Sequence, residues 1–518
     1  MKQQHVVILG AGTAGWMTAA ALSRFLPQHA FKITLIASTD IGTVGVGEAT
    51  IPHIRHFNQL LGIDENTFMQ AVGATYKLAI RFKDWGYKGA DYCHGFGYSG
   101  QPINDIEFHQ YYLYAKQHAG LDEKDFFEDF DKFNPAALAA KQHRFAYPVA
   151  DSKSPLSQYG YAFHLDASQY ADYLRKYSVD RGVEHLDAKV DDVILADSGD
   201  IEALTLSDGR KISGDLFVDC SGFRGRLIAQ VLEVGYENWQ HWLPCDSAQA
   251  VPSDPIQNPP SYTLSQAHEA GWRWQIPLQH RTGNGIVYAK SHMSDDQATS
   301  LLLSALGDQA LANPSQIRFI TGKREKSWAK NCVAIGLSSG FLEPLESTSL
   351  YLIQVAIEKL IEYFPVSGQS KVLRDNFNKV IDTEYERIRD FLIFHYHQNS
   401  RPEAFWQACA QMEIPLSLQQ RIEQFTQNGH FQAYRQGLFM PVSWTALSLG
   451  QGLEPVHIDP RLVKIDAKAV SSQLIHYQRH MATLIEKLPS HSSAIQASKS
   501  GAAHYPPTSL SLYGAYQL

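Results

Sequence analysis

The stretch Val6-Val7-Ile8-Leu9-Gly10-Ala11-Gly12-Thr13-Ala14-Gly15-Trp16 decides the fold of this chain. It opens with four apolar residues, three of them β-branched, which predict a short buried strand. Three glycines follow at GxGxxG spacing, and apolar residues then recur every four positions from Met17 to Phe25, as on one face of a helix. The order of strand, tight turn and helix predicts a dinucleotide-binding unit at the start of the chain.

Each glycine of this motif has its own task. Gly10 permits the tight turn, Gly12 lets backbone N–H groups approach a pyrophosphate, and Gly15 lets the helix lie close to the strand. The helix N-terminus then faces the phosphates, because its first N–H groups and its dipole favour an anion. A glycine-rich structural turn is the alternative, but the position between a strand and a helix favours binding.

Composition excludes several classes of protein. The chain has 518 residues, of which 44% are hydrophobic and 19% charged, enough for a large core and about two to four domain-sized units. Its net charge of −8 is spread without long runs, which argues against nucleic acid or an anionic membrane as main partner. We find neither a signal peptide nor an apolar run long enough to span a bilayer, so we expect a cytoplasmic protein.

The cysteines and histidines do not predict a metal site. Five widely spaced cysteines suggest reduced thiols rather than a disulfide framework. The pair His395 and His397 forms an isolated HxH at a predicted helix end, and we interpret it as structural. We therefore expect no metal.

The second predicted strand, Lys32 to Ile36, ends without the usual acid. In many dinucleotide-binding folds this strand ends with Asp or Glu, which binds the ribose. Here Ala37 and Ser38 occupy that place. Ser38 can still donate and accept a hydrogen bond, so we assign it to the cofactor site.

The chain carries one GxGxxG loop between a predicted strand and a predicted helix; the same spacing at 95–100 falls in an aromatic stretch that is predicted as a loop or hairpin. An enzyme that binds both FAD and a nicotinamide often carries two. One loop indicates that this protein holds FAD and receives electrons from elsewhere. The predicted fold is α/β: a Rossmann-like FAD-binding domain of the flavin monooxygenase type, with an inserted, mostly antiparallel sheet and a helical C-terminal region.

Strand patterns return to the first sheet after long intervals, which predicts a discontinuous cofactor domain. The predicted parts are 1–100, 160–235 and 330–365 for this domain, 101–159 and 236–329 for substrate-side insertions, 366–489 for the helical region and 490–518 for a loosely held tail.

Several stretches together allow a family to be recognised. They are GAGTAGW at 10–16, GVGEATIP at 45–52, the segment around Lys77, DLFVDCSGFRG at 215–225, WRWQIP at 272–277 and GLSSGFLEPLEST at 336–348. The chain resembles the tryptophan halogenase family of flavin-dependent halogenases, from about residue 6 to about residue 453. Two close tryptophans followed by Ile-Pro are the most specific of these features.

The resemblance implies the chemistry. Members use FAD reduced by a separate flavin reductase, together with oxygen and a halide ion, bromide or chloride, to make hypohalous acid. The acid moves inside the protein to a lysine beside a small aromatic substrate, which is then halogenated by electrophilic substitution. The family also suggests a homodimer.

Lys77 matches the essential lysine of the family. As an ammonium it can hydrogen-bond to hypohalous acid and polarise it, and as an amine it could be halogenated itself. Apolar neighbours such as Leu78 and Ile80 predict partial desolvation, which eases loss of its proton. From the residues alone, a lysine snorkelling at a sheet edge is the alternative.

Glu346 matches the functional glutamate of the family. A carboxylate beside the ring stabilises the cationic intermediate of the substitution and can take its proton. It could also hold the lysine by a charge-assisted hydrogen bond. From the residues alone, a capping acid near a helix start is the alternative.

The resemblance places the halide at Thr348 and Ser349. A helix is predicted to begin there, and its exposed N–H groups can bind an anion. The family usually has glycine at the second position, so Ser349 is a departure that bears on halide preference.

The resemblance also implies a steric barrier between flavin and substrate, formed by Trp272, Trp274, Ile276 and Pro277. Ordinary core packing is the alternative for these side chains.

The resemblance places the substrate ring between His94 and Phe96, where flat π-systems stack. Tryptophan-specific members clamp the amino-acid end of the substrate with a segment rich in Tyr, Glu and Trp. The corresponding stretch here, about 428–444, lacks the tyrosine pair and the clamping tryptophan. We therefore expect an indole or another electron-rich aromatic in a more open site, rather than free tryptophan.

Twelve residues in all are predicted to contact the cofactor. They are Gly10, Gly12, Thr13, Ala14, Gly15, Ser38, Gly47, Glu48, Ala49, Val190, Leu337 and Leu350.

Two other functions remain open at this point. An aromatic hydroxylase with the same fold usually carries Gly-Asp where this chain has Gly336-Leu337. A non-catalytic flavin-binding paralogue is the other alternative, and the presence of both Lys77 and Glu346 argues against it.

Overall fold

The computed structural model describes residues 3–39, 47–366, 368 and 370–501. The glycine-rich loop 42–46 and residues 502–518 of the expected tail lie outside the described residues. The strands are β1 (Gln4–Leu9), β2 (Phe31–Ala37), β3 (Gly47–Ala49), β4 (Thr75–Lys77), β5 (Ala79–Lys83), β6 (Asp91–Gly95), β7 (Ala162–Asp166), β8 (Glu184–Asp187), β9 (Val190–Leu195), β10 (Ile201–Leu206), β11 (Lys211–Ser213), β12 (Leu216–Asp219), β13 (Tyr236–Asn238), β14 (Ser247–Ser253), β15 (Tyr262–His268), β16 (Gly271–Pro277), β17 (Thr282–Tyr288), β18 (Ser315–Arg318), β19 (Gly322–Arg324), β20 (Trp328–Ala329), β21 (Cys332–Ala334) and β22 (Gly340–Phe341).

The helices alternate with strands at first and dominate after residue 349. They are α1 (Thr13–Phe25), α2 (His53–Leu60), α3 (Glu65–Ala71), α4 (Phe108–His118), α5 (Pro135–Lys141), α6 (Ala167–Val179), α7 (Asp295–Leu306), α8 (Ser349–Glu362), α9 (Lys371–His397), α10 (Ala404–Gln411), α11 (Leu416–Asn428), α12 (Pro441–Gly450), α13 (Ala467–Glu486) and α14 (His491–Lys499). No helix in the described part of the chain is long and apolar enough to cross a membrane.

The first sheet has six strands in the order β20-β21-β12-β1-β2-β8. β1 pairs in parallel with β12 on one side and β2 on the other, so its apolar run is buried on both faces. The six strands come from distant parts of the chain, between residues 4 and 334. The α/β fold with a discontinuous first sheet is therefore confirmed.

The second sheet has seven strands in the order β18-β14-β17-β16-β15-β5-β6 and is antiparallel except for the pair β15-β5. β5 and β6 lie within residues 79–95, which the sequence analysis placed in the cofactor domain. This assignment is wrong for these two strands, because β5 pairs along its length with β15. Periodicity identifies a strand but not the sheet that it joins.

A small sheet, β3-β7-β4, brings two distant motifs together. β7 pairs with Gly47–Ala49 on one side and with Thr75–Lys77 on the other. The lysine strand and the predicted flavin-contacting strand therefore lie in one three-stranded unit.

The expectation of a loose tail from residue 490 is wrong for residues 490–501. Residues His491–Lys499 form α14, which Ser490 caps by accepting a hydrogen bond from the Ser493 N–H. His491 is fully buried. Small residues suggested a loose segment, but His491, Ile495 and Ser498 form a buried face of this helix.

Candidate active site

Lys77 is the last residue of β4 and is completely buried. Its Nζ donates hydrogen bonds to the carbonyl oxygen of Thr50 at 2.9 Å and to Ser347 Oγ at 2.7 Å. Thr50 directly follows β3, and Ser347 lies two residues before the start of α8. Three separate parts of the chain thus define the position of one ammonium group.

The environment of Lys77 favours loss of its proton. Burial lowers its pKa from 10.5 to about 7, because desolvation disfavours the ammonium, while the nearby Glu346 carboxylate opposes this shift. The face of the Phe96 ring lies 5.1 Å from Nζ, close enough for a cation–π contact. The sequence analysis predicted partial desolvation, and the structure gives complete burial.

Glu346 is held as an anion between two histidines. Its Oε2 lies 2.8 Å from His94 Nδ1, and its Oε1 lies 2.8 Å from His395 Nε2. Burial by itself raises the pKa of this carboxyl, but the charge and hydrogen bonds of the two histidines outweigh that effect and lower it to about 2.

The two predicted catalytic groups do not bind each other directly. Among the described residues, no ion pair joins Lys77 to Glu346. Ser347 Oγ accepts a hydrogen bond from Lys77 Nζ instead. The suggested charge-assisted bond between them is therefore wrong, because both carboxylate oxygens face histidines. The charges still influence each other, as the lysine pKa indicates.

His395 is a site residue that sequence reasoning missed. The HxH pair was interpreted as structural, and His397 fits that reading, since its Nδ1 lies 3.3 Å from the carbonyl oxygen of Cys409. His395 instead projects from the end of α9 into the buried carboxylate, 49 positions along the chain. No local pattern could have paired residues so far apart.

The predicted halide residues lie at the start of α8. Thr348 is the N-cap, and Ser349 is the first helical residue. Thr348 Oγ1 is buried and has no hydrogen-bond partner within the described chain. A buried hydroxyl beside uncapped helical N–H groups suits a small anion.

The barrier residues extend along β16. Trp272 and Trp274 lie on the same face, with ring centroids 6.0 Å apart. Gly285 faces Trp274 on the neighbouring strand, and a Cβ there would lie 2.0 Å from the indole ring. Ile276 packs in a small apolar cluster with Ala49 of β3. Pro277 accepts a hydrogen bond from Thr75 Oγ1 at 2.7 Å, which ties this strand to the lysine strand.

A second buried carboxyl, Glu343, lies three residues before Glu346 and was not predicted. Its Oε2 accepts hydrogen bonds from Trp272 Nε1 at 3.0 Å and from Tyr396 OH at 2.5 Å. Burial raises its pKa to about 7, and these neutral donors only partly offset that effect. The adjacent α9 residues His395 and Tyr396 thus form hydrogen bonds with Glu346 and Glu343, respectively.

His94 and Phe96 lie at the end of β6 and just beyond it. The His94 ring centroid is 5.7 Å from Phe391 and 6.0 Å from Phe439. Phe439 stacks on Phe391 at 3.9 Å and 20°. Leu438 and Phe439 of segment 429–440 are buried, and Phe439 covers the aromatic side chains beside His94. The openness of the substrate site stays a prediction.

The glycine motif has the shape that a dinucleotide requires. Gly10 has φ +114°, and a Cβ there would lie 2.3 Å from the carbonyl oxygen of Cys220. A Cβ on Gly15 would lie 1.8 Å from the carbonyl oxygen of Gly10. Gly12 has nothing within 4 Å of such an atom and precedes α1, whose N-terminus has no side-chain cap. These residues fit a pyrophosphate at the helix N-terminus.

The comparisons with known proteins agree with this arrangement. A family profile described as "Tryptophan halogenase" matches residues 5–467. The chain belongs to the tryptophan halogenase family.

Relatives cover nearly its full length. Tryptophan 6-halogenase SttH from Streptomyces toxytricini is 37% identical over 94% of this chain and 96% of its own. The structure of BrvH, a flavin-dependent halogenase from Brevundimonas sp. BAL3, is 42% identical with a TM-score of 0.91, over 96% of this chain and 99% of that one. Xcc4156, a flavin-dependent halogenase from Xanthomonas campestris, is 41% identical with a TM-score of 0.90, over 98% and 100%.

This family member is therefore a flavin-dependent halogenase that acts on an aromatic substrate with FAD, a halide ion and oxygen. Thr13 and Ala14 open α1, and Gly47, Glu48 and Ala49 form β3. The other predicted cofactor residues follow β2 (Ser38), begin β9 (Val190), lie in the turn Gly336–Ser338 (Leu337) and lie in the first turn of α8 (Leu350). A Cβ on Gly336 would lie 2.8 Å from the Ala14 Cβ, so this turn packs against the glycine motif.

Proposed function

We propose that this halogenase modifies a small electron-rich aromatic compound, an indole derivative rather than free tryptophan, with Lys77 and Glu346 as catalytic residues. One observation carries the proposal. The adjacent residues Glu346 and Ser347 direct an ionised carboxylate and a hydrogen-bonded lysine into the same buried region.

Lys77 positions hypohalous acid beside the substrate ring. In its charged form Nζ donates a hydrogen bond to the oxidant and polarises it, and as a neutral amine it could carry the halogen. A pKa of about 7 keeps both forms accessible near neutral pH. Ser347 and Thr50 fix the direction of the amine.

Glu346 stabilises the positive charge that develops on the ring and accepts the proton that leaves. His94 and His395 hold its carboxylate and keep it ionised in a site without bulk water. His94 would therefore contact both the Glu346 carboxylate and one face of the substrate ring, and Phe96 would contact the other face of that ring.

The glycine motif and the N-terminus of α1 would hold the pyrophosphate of FAD. When bound, reduced FAD would supply two electrons that reduce oxygen to the peroxide level, at which it can take two electrons from the halide and give hypohalous acid. Thr348 and Ser349 would hold the halide through a buried hydroxyl and helical N–H groups. Trp274 and Ile276 would separate the flavin from the ring while a small oxidant passes.

The partners and the assembly rest on the family resemblance. A separate flavin reductase would supply reduced FAD, and two copies would form a homodimer. Relatives named for tryptophan, such as the 37% identical tryptophan 6-halogenase, make free tryptophan the second candidate substrate. The stretch 428–444 without a tyrosine pair supports the indole derivative.

The test supplies the purified protein with FAD, a flavin reductase, bromide or chloride, and either indole or tryptophan. Mass spectrometry should find the bromine or chlorine isotope pair in the indole product. A hydroxylated product without that pair would support the aromatic hydroxylase, and no product from an FAD-loaded protein would support a non-catalytic paralogue. Preferential halogenation of tryptophan would overturn the proposed substrate class.

A further inference from the structure

Arg421 on α11 carries a buried guanidinium with an unsatisfied edge. The residue is 8% exposed, and its Nε and Nη2 atoms have no hydrogen-bond partner among the described residues. These two N–H groups form the fork that binds both oxygens of a carboxylate. Buried N–H groups without a hydrogen-bond acceptor are costly, so this edge of the guanidinium indicates an anionic ligand.

Other arginines of this protein show what the same edge normally contacts. The Nε and Nη2 atoms of Arg281 donate to Asp166, and those of Arg389 donate to Asp390. Asp390 also accepts a hydrogen bond from Ser417 through its other oxygen, so both of its oxygens are engaged. Arg421 has no such carboxylate within the described chain.

Aromatic rings and a second cation surround Arg421. Its Cζ lies 4.0 Å from the centroid of Tyr434 and 4.6 Å from that of Trp444. Arg387 contacts the Tyr434 ring at 3.8 Å. Arg387 Nε and Trp444 Nε1 are also buried without hydrogen-bond partners in the described structure. We call Arg387, Arg421, Tyr434 and Trp444 the arginine cluster.

A continuous aromatic wall joins the arginine cluster to the active site. The Trp444 and Phe391 ring centroids are 4.8 Å apart, and those of Phe391 and His94 are 5.7 Å apart. His94 in turn contacts the catalytic carboxylate of Glu346. Two successive ring contacts thus connect Trp444 of the arginine cluster to His94.

We propose that the arginine cluster binds the carboxylate of the substrate, so that the enzyme acts on aromatic acids with a carboxylate side chain and no amino group beside it. This inference rests on the proposed function and specifies its substrate class. The cluster offers two cations and several N–H or O–H donors, which suit a carboxylate. The same two cations repel an ammonium group, which disfavours zwitterionic tryptophan.

Equilibrium binding tests this proposal without turnover. Calorimetry on the FAD-loaded full-length protein, without halide or reductase, compares indole, indole-3-propionic acid, tryptophan and acetate. We expect the acid to bind at least tenfold more tightly than indole or tryptophan. Arg421→Met should remove this advantage and leave indole binding unchanged, since methionine still packs between the rings. Arg435→Met, which changes an exposed arginine of segment 429–440, should alter neither value.

Several outcomes would overturn the proposal. Equal affinity of the wild-type protein for indole and the acid would do so, as would an advantage for the acid that survives in Arg421→Met. Acetate binding as tightly as the acid would indicate an adventitious anion site that does not need the ring.

If Arg421→Met does not fold, Arg387→Met must reduce the advantage of the acid. Because these measurements need no halogenation, a failure of the proposed function would leave them interpretable. In the turnover assay, Arg421→Met should raise KM for the acid at unchanged kcat.

Discussion

Lys77 donates a hydrogen bond to Ser347 Oγ at 2.7 Å, while the neighbouring Glu346 turns both carboxylate oxygens toward histidines. Ser347 makes this division possible because its backbone adopts φ +59°, which turns the chain sharply between the carboxylate and the start of α8. Glu346 can therefore act as one catalytic group while the adjacent Ser347 positions the other, Lys77. The carboxylate stays free of the lysine and available to the ring.

Substitution of Ser347 tests whether this hydroxyl positions the lysine. Ser347→Gly keeps the left-handed backbone and removes only the hydroxyl, so we expect unchanged FAD binding and a fall in kcat of about tenfold or more, the scale expected when a reacting group is misplaced. Ser347→Ala should lose the same activity but keeps the Cβ strain that serine already bears at this φ, so it should be about 1 kcal/mol less stable than Ser347→Gly. Halogenation kinetics and thermal unfolding measure the two effects. An active Ser347→Gly would show that Thr50 alone suffices to hold Lys77.

Lys77 also predicts a pH dependence of stability. Burial lowers its pKa from 10.5 to about 7. Between these two values the unfolded chain binds a proton that the folded chain lacks, so the contribution of Lys77 to stability rises with pH across this window. Lys77→Met removes the titration, and the stability of the wild type relative to this variant should increase by several kcal/mol from about pH 7 to about pH 10, at about 1.4 kcal/mol per pKa unit.

Urea unfolding of the two FAD-free proteins across this range measures that difference. Lys83→Met, on the adjacent strand β5, is the control and should give a curve parallel to the wild type. Parallel curves for Lys77→Met would contradict the lowered pKa. The same variant should bind FAD normally and show no detectable halogenation.

Local patterns predicted much of this molecule, because β1, the glycine turn and α1 are contiguous and each residue type there has a direct steric reason. The Lys77 strand and the start of α8 were also found from short motifs. The partners of Glu346 could not be found that way, since His94 and His395 lie 252 and 49 positions away. The inward fold of Phe439 depends likewise on stacking with Phe391 across two elements. Residue types indicate the chemistry, but long-range packing decides which groups meet.

We expect Glu343 to hold the indole of the barrier residue Trp272 in place, through the hydrogen bond that it accepts from Nε1. Glu343→Gln keeps an acceptor oxygen for Trp272 Nε1 and Tyr396 OH, so we expect little loss of stability or product. Glu343→Leu leaves the buried Trp272 Nε1 without its acceptor, which should cost about 1–3 kcal/mol, and leaves Tyr396 OH with the weak partner Cys245 Sγ. Denaturant unfolding, together with the fraction of consumed oxygen recovered as halogenated product, checks both variants. Equal behaviour of the two variants would show that the carboxyl does not position the indole.

The last prediction concerns His491, which joins the C-terminal helix α14 to the lysine strand. The backbone N–H of Tyr76 donates to His491 Nε2 at 3.0 Å, so Nδ1 carries the proton and donates to the carbonyl oxygen of Pro259 at 2.9 Å. β4 is an edge strand of the small sheet, and this histidine satisfies a backbone group that β7 does not reach. His491 thereby supports the residue next to Lys77.

His491→Leu should speed hydrogen exchange at the Tyr76 amide and lower kcat, with KM and FAD binding unchanged, because Lys77 then lies on a looser strand. His491→Gln presents both an acceptor and a donor and should restore most of the activity. Ile495→Ala loosens α14 at a buried position without touching Tyr76, so it should lower the melting temperature but leave kcat intact. Exchange mass spectrometry of the peptide containing residues 75–78 measures the first effect. If Ile495→Ala lowers kcat as much as His491→Leu does, docking of the whole helix, and not this hydrogen bond, supports the lysine.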